Sequence, residues 1–173
     1  MKRISEFSGG SLQWKQPHVT ESVFELKSDE ELLATLKFSN TFGSLATGES
    51  ADGRWTFKRV GFINTHVSVR SEGSEEDIAV YRNNTWSQGG TLEMPDGRRF
   101  KANSNFWHSQ FEFTGESDEP LIRYTNIGGF KLHAQMELLR PAIELKELSW
   151  IVILGWYLTV MMNLDAGVVA AIA

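Results

Sequence analysis

The residues best suited to chemistry in this chain are cations. Six of its seventeen Lys and Arg fall in two short stretches, Arg54, Lys58 and Arg59, then Arg98, Arg99 and Lys101, each just after an Asp-Gly pair. Guanidinium and ammonium groups held side by side take a phosphate through charge-assisted hydrogen bonds. If the two stretches pack against each other, they line one anion-binding rim. They equally fit the outward positions of strands in which Trp55, Phe57 and Phe100 point inward. The other reactive side chains form no constellation. His18, His66, His108 and His133 are far apart, with no metal-ligand spacing among them and no His-Glu-x-x-His. The carboxylates collect as Glu72, Glu75, Glu76 and Asp77 and as Glu112, Glu116, Asp118 and Glu119, in turn-like segments where solvated charge is the ordinary role. A hydrolase would have to use His66 or His108 with one of these loop carboxylates, and no Gly-x-Ser-x-Gly nucleophile elbow supports it. No metal or cofactor is expected.

Composition bounds what such residues can serve. A chain of 173 residues is long enough for one domain with a sizeable core. With no Cys it can hold neither a disulfide nor a Cys-containing zinc site. A net charge of -5 argues against a general nucleic-acid or anionic-membrane binder. Aromatic residues at 12% suit pleated sheets. The first ten residues have no apolar core of the kind a secretory signal needs, which suggests a cytoplasmic protein, compatible with peripheral contact with a membrane.

The elements that must position these residues are short strands. Residues 1–20 read as a polar arm with Gly9-Gly10 and Pro17, anchored by Trp14. From residue 21 onward, Leu32, Ala34, Leu36 and Phe38 share one parity against Leu33, Thr35 and Lys37. Ala51-Asp52-Gly53-Arg54 is a hairpin turn, since Asp-Gly supplies positive φ angles. Ile63, Thr65, Val67 and Val69 form another one-face run. The pattern repeats at a spacing of 44: Glu31, Glu75 and Glu119; Leu36, Val80 and Tyr124; Asp52-Gly53-Arg54 and Asp96-Gly97-Arg98; Phe62 and Phe106. Phe57 aligns with Phe100 one residue short, so a bulge or deletion intervenes. The third unit runs through Ile122, Tyr124, Ala134, Met136 and Leu138 to Pro141, which stops the last strand.

The last stretch differs in kind. Residues 147–165 form a helix that is uncharged from Leu148 to Leu164 and apolar on every side, with Trp150, Leu154, Trp156, Tyr157, Leu158 and Met161 along it. Such a helix either spans a membrane or lies inside a core. A sheet of three repeats tends to curl and close, and a wide closed barrel needs filling. The reading is therefore a mainly β domain over 21–173, a closed antiparallel barrel with this helix through its centre; a tail anchor is the alternative. Asp165 is expected to pair with a cation or with backbone donors, because the C-terminal end of a helix disfavours an anion.

Three β repeats, with Ala51–Phe62, Pro95–Phe100 and the terminal run ending in Leu164-Asp165, resemble the tubby C-terminal-like superfamily, which includes tubby-like proteins, phospholipid scramblases and plant LURP-one-related proteins. The resemblance implies twelve strands around the helix. It also implies a non-enzymatic binding or scaffold role at the rim, for a phosphoinositide, another anionic lipid or a protein; the alternative is a structural protein whose barrel serves stability or self-association. It does not extend to scrambling, since the chain has no Cys to acylate and no Asp-x-Asp-x-Asp calcium loop.

Overall fold

A computed structural model describes residues 1–7, 10–41, 43–84 and 89–172, with side chains as far as Gly167 along the last helix. Twelve strands are joined in chain order by hairpin connections. The first repeat holds β1 (Leu12–Lys15), β2 (Val23–Ser28), β3 (Glu31–Phe38) and β4 (Ala46–Ser50). The second holds β5 (Gly53–Val60), β6 (His66–Ser71), β7 (Asp77–Asn83) and β8 (Gly89–Glu93). The third holds β9 (Arg99–Ser104), β10 (Phe111–Thr114), β11 (Pro120–Gly128) and β12 (His133–Leu138). Each strand pairs antiparallel with its sequence neighbours, and β1 pairs with β12, so the barrel is closed and has no edge to protect. A short helix, α1 (Arg140–Ile143), carries Pro141 in its first turn and leads the chain into α2 (Leu148–Ile172), which fills the lumen.

Filling explains why α2 is apolar all round. Every residue from Leu148 to Met161 except Gly155, whose surroundings are just as close, is a buried side chain with strand residues about it. Trp14 of β1 stacks on Trp156 at 5.5 Å, Phe38 of β3 stacks on Tyr157 at 5.5 Å, and Phe24 of β2 meets Trp156 edge-on. Eleven large apolar side chains of α2 are buried (Leu148, Trp150, Ile151, Val152, Ile153, Leu154, Trp156, Tyr157, Leu158, Val160, Met161). At ~1.5–3 kcal/mol each they contribute roughly 15–30 kcal/mol before chain entropy, an upper bound. Where the wall comes closest it is made of glycine: a Cβ on Gly48 of β4 would lie 2.6 Å from Ile153 Cγ2. The stretch Leu148–Gly167 is long and apolar enough to cross a membrane, and its residues from Leu148 to Met161 are buried here.

The barrel corrects several sequence expectations. The N-terminal segment is not a loose arm: β1 closes the barrel, and Ile4, in a 3-10 turn at Ile4–Glu6, is fully buried. The domain therefore begins well before residue 21. Alternation breaks where a bulge inserts one residue at the start of each third strand of a repeat. Leu26 pairs with Ala34 but Lys27 with Leu32, so Leu33 is the extra residue and is buried out of turn. Ile78 and Leu121 are extra in the same way on β7 and β11. The bulge in the second repeat comes one residue later. The inward equivalents are thus Leu36, Tyr81 and Tyr124, and Val80 faces outward beside Ser68. Ile63 and Thr65 precede β6 in an exposed loop rather than extending it.

Candidate functional site

Because all connections are hairpins, successive loops alternate between the two ends of the barrel. α2 begins at one end, where Ser149 Oγ donates to Asp52 of the β4–β5 loop at 2.5 Å and Arg98 of the β8–β9 loop pairs with Glu147 at 2.6 Å. It leaves at the other end, where Arg59, near the end of β5, meets Asp165 at 2.7 Å. The pairing expected for Asp165 is present, and it ties the wall to the helix as the helix emerges. At the same mouth the Tyr157 hydroxyl donates to Ser44 O at 2.6 Å and accepts from Arg59 N at 3.1 Å. Burial pushes its pKa up to about 12.

The six cations do not converge. Arg54, Arg98 and Arg99 lie toward the end where α2 begins, and Lys58 and Arg59 toward the end where it leaves. Arg54 pairs with Glu49 at 3.0 Å and Glu72 at 3.4 Å, and Lys101 with Asp118 at 2.6 Å. Arg98 also pairs with Asp96 at 2.8 Å. Its hydrogen bonds hold the Glu147 carboxyl below its ordinary 4.5. Among the described residues Lys58 and Arg99 make no ion pair. The groove beside Arg54 is lined by Glu49, Asp52 and Glu72, so its net charge repels a phosphate.

Charge divides sharply between the ends. The loops where α2 begins carry ten carboxylates: two in 29–30, one in 51–52, three in 72–76, one in 94–98 and three in 115–119. Arg98 is the single cation of these five loops; the segment before β1 and the connection from β12 to α2, at the same end, add Lys2, Arg3, Arg140 and Lys146 against Glu6, Glu144 and Glu147. The described loops of the other end (16–22, 39–41, 43–45, 61–65, 105–110 and 129–132) carry one carboxylate, Glu21, with Lys131, His18 and His108.

Beside that second end, on the outer wall over β2, β1 and β12, lies a groove of about 450 Å³ lined by Lys15, Lys27, Lys131 and His133 with Glu25. Strand alternation makes it: Trp14 and Leu12 of β1 face inward, so Lys15 faces out, between Glu25 on β2 and His133 on β12. Lys27 is matched by Glu25 at 2.7 Å, which leaves Lys15 and Lys131 as excess positive charge. The walls are tethered. Gln16 Nε2 donates to Glu21 O at 2.9 Å, and Gln16 Oε1 accepts from Leu132 N at 3.3 Å. Lys131 Nζ donates to Pro17 O at 2.9 Å. His133 Nδ1 lies 3.1 Å from Lys131 O, a carbonyl that can only accept, so Nδ1 carries the proton and Nε2 is free for a ligand. A Cβ on Gly129, at φ +92°, would strike the His133 ring at 2.7 Å, so glycine is required for the imidazole to sit there. No run in the sequence announces this cluster. Residues 15, 27, 131 and 133 meet only because β1 pairs with both β2 and β12 at the barrel seam.

The histidines otherwise do little together. His108 Nδ1 lies 3.3 Å from Ser104 Oγ across the β9–β10 turn. Among the described residues no carboxylate is within hydrogen-bond distance of His108 or His66 to orient a base, and no group of three or more His, Asp or Glu gathers as a metal site. No protein-family model, curated protein or solved structure matches the chain.

Proposed function

We propose that the protein is a non-enzymatic module that binds anionic lipid head groups at a membrane surface, through the Lys15–Lys131–His133 groove rather than the Arg54–Arg98 rim. The observation that carries this reading is the tethered groove with unmatched ammonium groups, placed beside the barrel end whose described loops hold a single carboxylate. Lys15 Nζ and Lys131 Nζ supply donors for phosphate oxygens, and His133 Nε2, with the proton on Nδ1, faces the groove as an acceptor. The ten carboxylates lie at the far end, directed away from an anionic surface, and orient the approach. A tubby-like or scramblase-like relationship agrees with lipid binding, though the groove argues for it independently.

Flotation with phosphatidylcholine vesicles, with and without phosphatidylserine, tests the reading. Each lysine near an anionic surface contributes about 1 kcal/mol, so Lys15→Glu with Lys131→Glu is expected to weaken binding to the anionic vesicles by well over tenfold. Arg54→Glu with Arg98→Glu is expected to leave that binding intact. Equal binding of both double variants to anionic vesicles would overturn the groove as the site.

A further inference from the structure

We propose that the barrel end from which α2 emerges inserts into the interfacial layer of a lipid bilayer through apolar loop tips. This contact stands on different residues from the lysine groove and does not depend on head-group charge. Soluble proteins scatter single apolar residues over their surfaces, but a contiguous apolar end is unusual. Here Phe62 is 99% exposed and Ile63 90% in the β5–β6 loop, Phe106 71% and Trp107 80% in the β9–β10 loop, and Phe130 90% in the β11–β12 loop. Phe106 and Trp107 pack edge to face at 5.1 Å, which presents them as one wedge. All three loops are at the same end, by the alternation of hairpins and the Arg59–Asp165 contact. No exposed large apolar residue of comparable degree occurs in the described loops of the opposite end.

The placement recurs with the repeat. Val19, Ile63 and Trp107 are spaced by 44 and lie in the first loop of their repeats, all exposed. Phe130 stands in the last loop of the third repeat, and the sequence carries Trp86 and Phe42 at 44 and 88 residues before it. Folding does not require Val19, Ile63 and Trp107 at these exposed positions, so their recurrence points to what lies outside the barrel. From Leu164 to Gly167 the helix α2 is exposed, and its backbone continues to Ile172, about 10 Å beyond Asp165 at 1.5 Å per residue, with no charged side chain after Asp165 in the sequence.

A bilayer fits this surface better than a folded partner. Aromatic side chains are the residues favoured at the lipid–water interface. The tips are convex and belong to separate loops, so they match a deformable medium rather than a shaped pocket. Around them sit Lys131 and, on adjoining strand ends, Lys15, Lys58 and the Asp165-paired Arg59, with Glu21 and Glu25 also at this end, while ten loop carboxylates are at the other. Phe130 and Lys131 adjoin, so one loop offers an aromatic tip to the bilayer and an ammonium group to the groove above it.

The absence of native Cys makes a direct test simple. Asn64→Cys and Phe130→Cys place a nitrobenzoxadiazole label at the apolar end, and Ser117→Cys places it at the acidic end; all three sites are exposed. On addition of plain phosphatidylcholine vesicles, in about 1 M salt where the Debye length is ~3 Å, labels at 64 and 130 are expected to shift to the blue and brighten severalfold. The label at 117 is expected not to respond. Ile63→Glu with Phe130→Glu, with its melting unchanged, is expected to bind these vesicles about tenfold or more weakly. No response at 64 and 130, or an equal response at 117, overturns the proposal. So does a concentration-dependent response without lipid, accompanied by a dimer in sedimentation, which would assign the surface to a second copy of the chain. Loss of selectivity for phosphatidylserine with retained binding to plain vesicles would instead count against the groove and leave this insertion standing.

Discussion

Gly155→Ala is the substitution on which intrinsic helix propensity and the barrel disagree in sign. On an isolated helix the change stabilises by about 1 kcal/mol, because glycine loses more backbone freedom on folding. Within the barrel the added Cβ would lie 2.4 Å from Tyr124 Oη and 2.7 Å from Tyr124 Cζ. Tyr124 is fully buried, and its hydroxyl donates to Val152 O, one turn before, at 2.6 Å. The ring has no free space to swing into, so either the helix or β11 must move. Overpacking of this kind costs about 1–3 kcal/mol, and a buried hydroxyl stripped of its acceptor costs about 1–3 kcal/mol more. After subtracting the propensity gain, the net expectation is a loss of roughly 1–5 kcal/mol. For a chain of this size that is a fall in melting temperature of about 2–4 °C per kcal/mol. Urea denaturation followed by tryptophan fluorescence measures it as a lower midpoint at constant slope. Gly167→Ala is the internal control: on the same helix, but exposed and with nothing within 4 Å of the added Cβ, it is expected to be neutral or stabilising by up to ~1 kcal/mol. Equal stabilisation by both substitutions would refute the seating of α2 against β11.

Three further outcomes follow from the same structure. Truncation after Leu145 removes a contribution of roughly 15–30 kcal/mol, larger than the ~5–15 kcal/mol by which folded domains exceed their unfolded chains, so the 1–145 fragment is expected to aggregate; a soluble, cooperatively melting fragment would show that α2 is an anchor rather than the filler. All three tyrosines, Tyr81, Tyr124 and Tyr157, have their hydroxyls pushed above the ordinary value of 10 chiefly by burial. Their contribution to stability is whole below pH 10 and fades as pH rises through the folded values, so phenolate absorbance is expected to appear together with unfolding instead of before it. Glu147 titrates below its ordinary 4.5 because of Arg98, so its contribution is present above that pH and lost as pH falls below it; thermal melts of Glu147→Gln are expected to trail the wild type at neutral pH and to converge with it in acid.

What the sequence determined by itself was the class of fold. Alternation, Asp-Gly turns, a 44-residue repeat and one helix apolar on every side leave few solutions other than a filled β barrel, because backbone pairing demands closure and closure demands a core. Local patterning could not place the bulges. An inserted residue at Leu33, Ile78 or Leu121 looks like any other apolar residue in a run, and the one-residue lag at Ile78 turned Val80 outward and Tyr81 inward. Nor could it show that the polar segment Leu12–Lys15 is a barrel strand, since four residues with two facing solvent carry almost no periodic signal. The basic stretches were visible as clusters, yet only the tertiary structure supplied the carboxylates that neutralise Arg54, Arg98 and Lys101 from other strands and loops. It alone assembled Lys15, Lys27, Lys131 and His133, which are distant in the chain and adjacent across the seam where β1 meets β2 and β12. Phe62 and Phe106 were legible as a repeat, but whether a repeated aromatic faces the core or the solvent depends on where the loops fall. Hairpin alternation, a property of the closed barrel and not of any local segment, gathered those tips at one end and the carboxylates at the other.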